Sequence, residues 1–213
     1  YIPENVESIG TEAFSGTVGA ITVDENNEYF CSDGGALLNK EKTVLLRHPS
    51  DLAETEYTIP ETVTTIDGYA FYYNLNLKSV TIPDNVTEIG EYAFKYCGSM
   101  TSASIGKGVR VIPVGMFEDD TRLKTVSIGA GVQEIGYNAF KCPSLETVNY
   151  EGTEDAWNGI TIKASGNSTL LNATKNYGTA APGSAPSNAI TITLDAAGGS
   201  SEKECLTLGN TAS

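Results

Sequence analysis

Positive charge is scarce in this sequence. Thirteen Lys and Arg face 27 Asp and Glu, a formal charge of −14. That field repels phosphate backbones and anionic lipid, so neither nucleic acid nor a membrane surface is an expected partner. No apolar run approaches the roughly 20 residues of a membrane span. No signal-peptide pattern or initiator Met is present, and the chain opens at Tyr1-Ile2-Pro3 inside a repeat. It therefore reads as a processed or excised piece of a longer protein.

Histidine occurs once, as His48, and no G-x-S-x-G elbow accompanies it. The alternatives for His48 are a general base and a solvated strand-end residue, and its setting before Pro49 favours the second. Cys97 and Cys142 lack C-x-x-C partners, which argues against zinc. The acidic turn Asp24–Glu28 lacks the alternating ligands, central Gly and closing Glu of a calcium loop. No catalytic residue, metal or cofactor is expected.

What the chain does have is a period. Ile82, Ile105 and Ile128 are 23 residues apart, as are Ile89, Ile112 and Ile135, and Phe94, Phe117 and Phe140. A fixed period in the twenties marks a solenoid, in which each repeat buries its apolar face against its neighbours. Each turn reads as a short alternating strand such as Val80-Thr81-Ile82, a second apolar step such as Val86 and Ile89, and a tight turn around Ala93-Phe94. Pro60 and Pro83 end their strands, because Pro cannot donate to the ladder. Phe14, Phe71, Phe94, Phe117 and Phe140 are predicted to stack as one buried column. The expected fold is a β-rich α/β solenoid, a right-handed coil of about 23 residues per turn.

The period breaks at residues 24–56, where the turn signals Asp33-Gly34-Gly35 and Asn39-Lys40 flank two apolar runs. That pattern predicts a β-hairpin insert. Residues 151–178 leave the period, carry Trp157 and read as a cap, so the solenoid spans 1–178. Residues 179–188, rich in Pro, Gly and Ser, read as a linker. Residues 189–213, with the alternating Ile190-Thr191-Ile192-Thr193-Leu194, read as a fragment of a small β module. Two of the four Cys, Cys97 and Cys142, fall in one column two turns apart. That is roughly 10 Å at the spacing of stacked strands, too far for a disulfide, so buried free thiols are expected. Cys31 and Cys205 cannot be paired from sequence.

Two surfaces are candidate binding sites. The strand register places Thr22, Thr58, Thr81, Ser104, Ser127 and Asn149 in one outward column. A neighbouring column holds Ala20, Glu56, Ser79, Ser102, Thr125 and Thr147. This small, hydroxyl-rich strip could receive an extended peptide or, less readily for want of aromatics, a glycan; the favoured reading is that Ser and Thr simply suit an exposed ladder. On the opposite edge Tyr69 and Tyr92 share a column, Tyr73 and Tyr96 share another, and Tyr72 and Tyr137 lie near. Tyr is enriched in binding patches, but the favoured reading is that these rings pack sideways on each other to cover the Phe column. Asn85, Asn167 and Asn172 head N-x-S/T triplets without a clear role.

The motifs IPETVTTIDGYAF, IPDNVTEIGEYAF and IGAGVQEIGYNAF, joined by LKSVTIP, resemble the BspA-like, Treponema pallidum-type leucine-rich repeats of bacterial surface proteins. The resemblance covers about residues 1–150. VDENNEYFCSDGGALLNKEKTVLLRHP is similar to the hairpin insert of these proteins, and EGTEDAWNGITI with LLNATKNYG to their C-terminal cap. ITITLDAAGGSSEKECLTLGNTAS resembles the start of a Listeria–Bacteroides-type repeat. The resemblance implies a non-enzymatic, extracellular or surface-attached interaction module, monomeric, that binds a protein or glycan, in adhesion to a host for example. The alternative is a spacer that presents other domains.

Overall fold

The computed structural model describes residues 1–10, 12–14, 19–50 and 52–179. The linker from residue 180 and the predicted β module at 189–213, with Cys205, lie outside the described residues. The chain forms a parallel β-solenoid of about six turns.

Three antiparallel-connected strands come first: β1 (Phe30–Asp33), β2 (Ala36–Asn39) and β3 (Val44–Arg47). Short strands then alternate along the coil: β4 (Glu56–Thr58), β5 (Thr65–Ile66), β6 (Ser79–Ile82), β7 (Glu88–Ile89), β8 (Ser102–Ile105) and β9 (Val111–Ile112). They continue with β10 (Thr125–Ile128), β11 (Glu134–Ile135) and β12 (Thr147–Tyr150). The end of the coil carries helix α1 (Glu154–Asn158), β13 (Thr161–Ile162), helix α2 (Ser168–Asn172) and β14 (Thr174–Tyr177).

β4, β6, β8 and β10 start at residues 56, 79, 102 and 125, each 23 after the last. They pair in parallel with β12 and β14 in the order β14-β12-β10-β8-β6-β4. The register matches equivalent residues: Val80 pairs with Ala103, Ala103 with Val126 and Val126 with Val148. The second apolar step is itself a strand, and these strands make a second wall, β13-β11-β9 with β7 and β5 before it. The third wall is a run of tight turns. There the N–H of Phe71, Phe94 and Phe117 donates to the carbonyl of Ala93, Met116 and Ala139 in the next turn, at 2.7 to 3.0 Å. All three sides thus satisfy their backbone groups between turns, as a buried ladder must.

The interior is one continuous apolar column. Ring centroids of Phe71 and Phe94 are 4.5 Å apart, and those of Phe94, Phe117 and Phe140 follow at 5.5 Å steps. Phe14 departs from its predicted place. It is half-buried and packs with Ile2, Ile21, Phe30 and Leu37 in a separate cluster. The seat before Phe71 belongs to His48, which stacks on Phe71 at 5.0 Å. Its N–H donates to the Ala70 carbonyl at 2.8 Å, as the Phe residues do along the coil. The insert therefore supplies a turn of the solenoid: β3 pairs antiparallel with β2 and parallel with β5. It also separates the first turn from the main sheet. Ile2 bridges to Val23, and the main sheet starts at β4, so Thr22 and Ala20 do not join the predicted columns.

Turns approach closely at glycine. A Cβ on Gly131 would lie 1.8 Å from the Lys107 carbonyl oxygen, and one on Gly108 2.1 Å from that of Asp84. Backbone cannot yield there as a side chain could. Gly131→Ala is therefore expected to cost about 1–3 kcal/mol by overpacking, read as a lower urea midpoint. An unchanged midpoint would show that adjacent turns are not held at this separation. Cys97 and Cys142 are buried free thiols, as the register demands, and Cys31 is a half-buried one. Burial pushes the Cys142 thiol up to about 12, so both behave as small hydrophobes.

The end of the coil is closed by polar and aromatic groups. Thr153 caps α1 by accepting from the Ala156 N–H at 3.2 Å. Trp157 sits edge-on to Tyr150 at 5.3 Å. Asn167, fully buried, accepts from the Phe140 N–H and donates to the Gly136 and Lys163 carbonyls.

Candidate functional site

The strand strip forms in the predicted register. Thr58 pairs with Thr81, Thr81 with Ser104, Ser104 with Ser127 and Ser127 with Asn149. The second column runs Glu56, Ser79, Ser102, Thr125, Thr147, and both columns extend onto β14 through Asn176 and Thr174. Its exposure is lower than the alternation predicts. Ser104 and Ser127, at the centre, are only 6% exposed, and Thr81, Ser79, Ser102, Thr125, Thr147 and Asn149 are half-buried. Strands stacked about 4.8 Å apart shield a small hydroxyl by its neighbours above and below. Asn176 donates to Asn149 Oδ1 at 2.9 Å, so the strip's end already uses part of its hydrogen-bonding capacity.

The tyrosine edge is more sharply built. Five rings form one connected set: Tyr92–Tyr69 at 5.2 Å, Tyr69–Tyr72 at 5.5 Å, Tyr72–Tyr96 at 5.7 Å, Tyr72–Tyr73 at 5.8 Å and Tyr73–Tyr96 at 5.6 Å. Tyr73 is 52% exposed and the other four are half-buried. Tyr137 is exposed and is not among these ring contacts.

Four of the five hold a left-handed backbone: φ is 58° at Tyr69 and Tyr92, and 62° at Tyr73 and Tyr96. Three successive turns each hold two such positions, and the next turn holds one. In the same columns the coil elsewhere uses Gly115 at 62°, Asn138 at 56° and Asp119 at 63°. Gly, Asn and Asp enter this region with little penalty, whereas a bulky residue costs about 1–2 kcal/mol. The strain is held by what surrounds it. The N–H groups of Tyr69, Tyr73, Tyr92 and Tyr96 donate to the carbonyls of Glu91, Lys95, Val114 and Glu118 in the following turn. Gly115 leaves room for Tyr92, whose ring lies where a Cβ would be.

Two residues that sequence reasoning did not connect to this edge help to fix it. Arg47 of β3, 3% exposed, donates from Nη1 to the Tyr69 carbonyl at 2.7 Å and from Nη2 to the Tyr72 carbonyl at 2.9 Å. Burial pushes its guanidinium down to about 10, so it stays charged at neutral pH. Lys95 places its ammonium 5.0 Å from the ring centroids of both Tyr92 and Tyr96. Glu118 holds Lys95 and Lys141, each at 2.9 Å, and these partners keep its carboxyl below the usual range against the opposing effect of burial. The spacing Tyr72, Lys95, Glu118, Lys141 is the signal that places this ladder.

His48 is corrected from a solvated residue to a buried one, 1% exposed. Its Nδ1 faces the Asn74 amide at 3.1 Å, so it accepts there and Nε2 carries the proton. Glu54 lies 3.5 Å from Nε2. Burial lowers the pKa, opposed by Glu54. Phe71 and Tyr57 wall the ring on two sides, at 5.0 and 4.4 Å. A small cavity beside Tyr69, lined by Glu12, Phe14, Arg47 and Asp67, measures about 20 Å³, room for roughly one water. Among the described residues, no group of three or more His, Cys, Asp or Glu is placed to hold a metal ion, and no helix is long and apolar enough to cross a membrane.

The family description "BspA type Leucine rich repeat region" matches residues 51–161 in six copies. The pneumococcal vaccine antigen PcpA is similar in structure, with 26% identity over 70% of this chain and 38% of its own, at a TM-score of 0.67. A leucine rich cell surface protein from Faecalibacterium prausnitzii shares 25% identity over 73% of this chain and 47% of its own, at 0.61. A leucine-rich repeat protein from Eubacterium ventriosum shares 26% over 69% and 47%, at 0.54. The chain thus spans 38% to 47% of the length of these solved structures. No curated protein sequence matches it.

Proposed function

Because the chain belongs to the BspA-type leucine-rich repeat family, we propose that it is a non-enzymatic interaction module, extracellular or on the cell surface, which binds a protein or glycan through its tyrosine edge. One observation carries this reading. Four tyrosines occupy left-handed positions for which the same coil elsewhere uses Gly, Asn and Asp. The fold does not need tyrosine there, and bulky residues held in strained backbone concentrate at functional sites. Ring contacts of about 0.5–1.5 kcal/mol each offset part of the strain, so the cluster stands at little net gain in stability. The surface setting of the F. prausnitzii relative supports the location.

A second contact surface is the strand strip from Thr58 to Asn149. Its shielded centre, Ser104 and Ser127, favours instead the reading of that face as an inert spacer wall. Arrays of glycans and extracellular-matrix proteins separate these readings. The test compares wild type, Tyr73→Asn with Tyr96→Asn, and Ser104→Arg with Ser127→Arg. Saturable binding is expected in wild type and in the serine variant, and not in the tyrosine variant. Loss in the serine variant alone would move the site to the strip. No binding by any of the three would leave the spacer reading in its place.

A further inference from the structure

We infer that the tyrosine edge receives an extended, basic segment of a partner protein, with Lys or Arg side chains lying over the rings. This rests on the reading above and names the ligand class of the same surface.

The edge already seats one cation. The Lys95 ammonium lies 5.0 Å from two ring centroids, inside the roughly 6 Å reach of a cation–π contact. It is neutralised by Glu118 rather than left as a repelling charge. Tyr73 is half exposed, and Leu75, two residues on, is 51% exposed. That leaves an aromatic and an aliphatic surface for further contact.

The rim is acidic. Glu12 lies near the Tyr69 hydroxyl: burial first, and then the Glu12 carboxylate, push that hydroxyl's pKa up. Glu91 precedes Tyr92, and its carbonyl takes the Tyr69 N–H at 3.1 Å. Asp119 takes up the column of Tyr73 and Tyr96 one turn on, and Glu118 lies next to it. Around the edge Glu12, Glu91, Glu118 and Asp119 stand against three cations, Lys95, Lys141 and the buried Arg47, within a chain of charge −14. This field raises the local concentration of a basic segment and repels an acidic one.

The spacing suits an extended chain. Touching rings are 5.2 to 5.8 Å apart, and alternate side chains of a strand are about 6.6–6.8 Å apart. Residues i and i+2 of one segment therefore reach successive rings. A neutral glycan would use the ring faces but gain nothing from the carboxylate rim.

The test is fluorescence anisotropy of a dye-labelled peptide of alternating Arg and Ser, with an alternating Glu and Ser peptide beside it. The proteins are wild type and the Tyr73→Asn, Tyr96→Asn variant, which keeps the same net charge. Asp119 and Asn138 show that the coil accepts such residues at these backbone positions. Wild type is expected to bind the basic peptide saturably and not the acidic one. The variant should bind about tenfold more weakly, the effect of losing ring–cation contacts at the exposed Tyr73 and the half-buried Tyr96. Equal affinity in the variant would overturn the inference, since the binding would then be a response to net charge alone. Failure of the basic peptide, with glycan binding lost in the same variant on the arrays, would also overturn it while leaving the tyrosine edge as the site. Failure on both would remove the edge itself.

Discussion

Phe94→Ala lowers the unfolding free energy by about 3–5 kcal/mol, the usual cost of deleting a fully buried aromatic ring. Phe94 is fully buried between Phe71 at 4.5 Å and Phe117 at 5.5 Å. The walls around it are tied between turns by backbone hydrogen bonds, among them Phe94 N–H to the Met116 carbonyl at 3.0 Å. Such a wall collapses poorly into a cavity, which puts the cost toward the upper end. For a chain of this size, the melting temperature should fall by roughly 10 °C. Phe14→Ala is the informative contrast. Phe14 fits the same motif, but it is half-buried in a separate cluster, so its loss should cost well under half as much. Thermal melts of the two variants side by side decide the matter. Equal shifts would mean that the column is not a special source of stability.

The contrast between these two residues also shows what the sequence made legible. In a solenoid the period is the pairing, so residues 23 apart had to face one another. The register from Thr58 to Ser127 follows directly, and the step on to Asn149 is one residue shorter. Phe14 matched the motif by type but not by distance, because the insert lies between it and Phe71. His48 stands at the correct distance, 23 before Phe71, and was hidden by its type: an imidazole in a phenylalanine column suggests solvent, not core. Its acceptance there depends on Asn74 and Glu54, which reach it only once the chain is coiled.

The tyrosine columns were visible, but the strain in them was not. Tyr has no preference for left-handed backbone, so nothing in Tyr69 or Tyr96 alone announces φ near 60°. The signal lay in the column partners Gly115, Asn138 and Asp119, whose residue types share only that backbone preference. The strip erred in the other direction. Alternation correctly separates inward from outward at Ser104 and Ser127, but exposure depends on neighbouring strands, which alternation does not count.

Raising the pH from 4 to 9 is expected to destabilise the protein through one buried carboxyl, Asp120. Its Oδ1 accepts the Cys97 N–H at 2.6 Å, and among the described residues Oδ2 has no hydrogen-bond partner. Burial raises its pKa well above the usual carboxylate range; the Cys97 N–H opposes this, and neighbouring Asp119 adds to it. The thiols that face it, Cys97 and Cys142, are themselves raised by burial and bring no positive charge. With the folded pKa above the unfolded one, the stabilising contribution is complete below the unfolded value, about 3.9. It is lost as pH rises through the folded value. An ionised carboxylate without a charged partner costs about 3–5 kcal/mol in such a site. Other groups slope the opposite way at acid pH: Glu118 and Asp84 have lowered values, and His48, also lowered, loses stability as pH falls. Asp120→Asn isolates the effect. Asn74 stands in the same column two turns earlier, and its buried amide oxygen takes the Leu77 N–H at 3.0 Å. The amide at 120 can accept the Cys97 N–H in the same way without an ionisable group. The variant should match wild type near pH 4 and exceed it progressively toward pH 9. Parallel melting-temperature curves for the two proteins would mean that Asp120 does not change its charge within the fold.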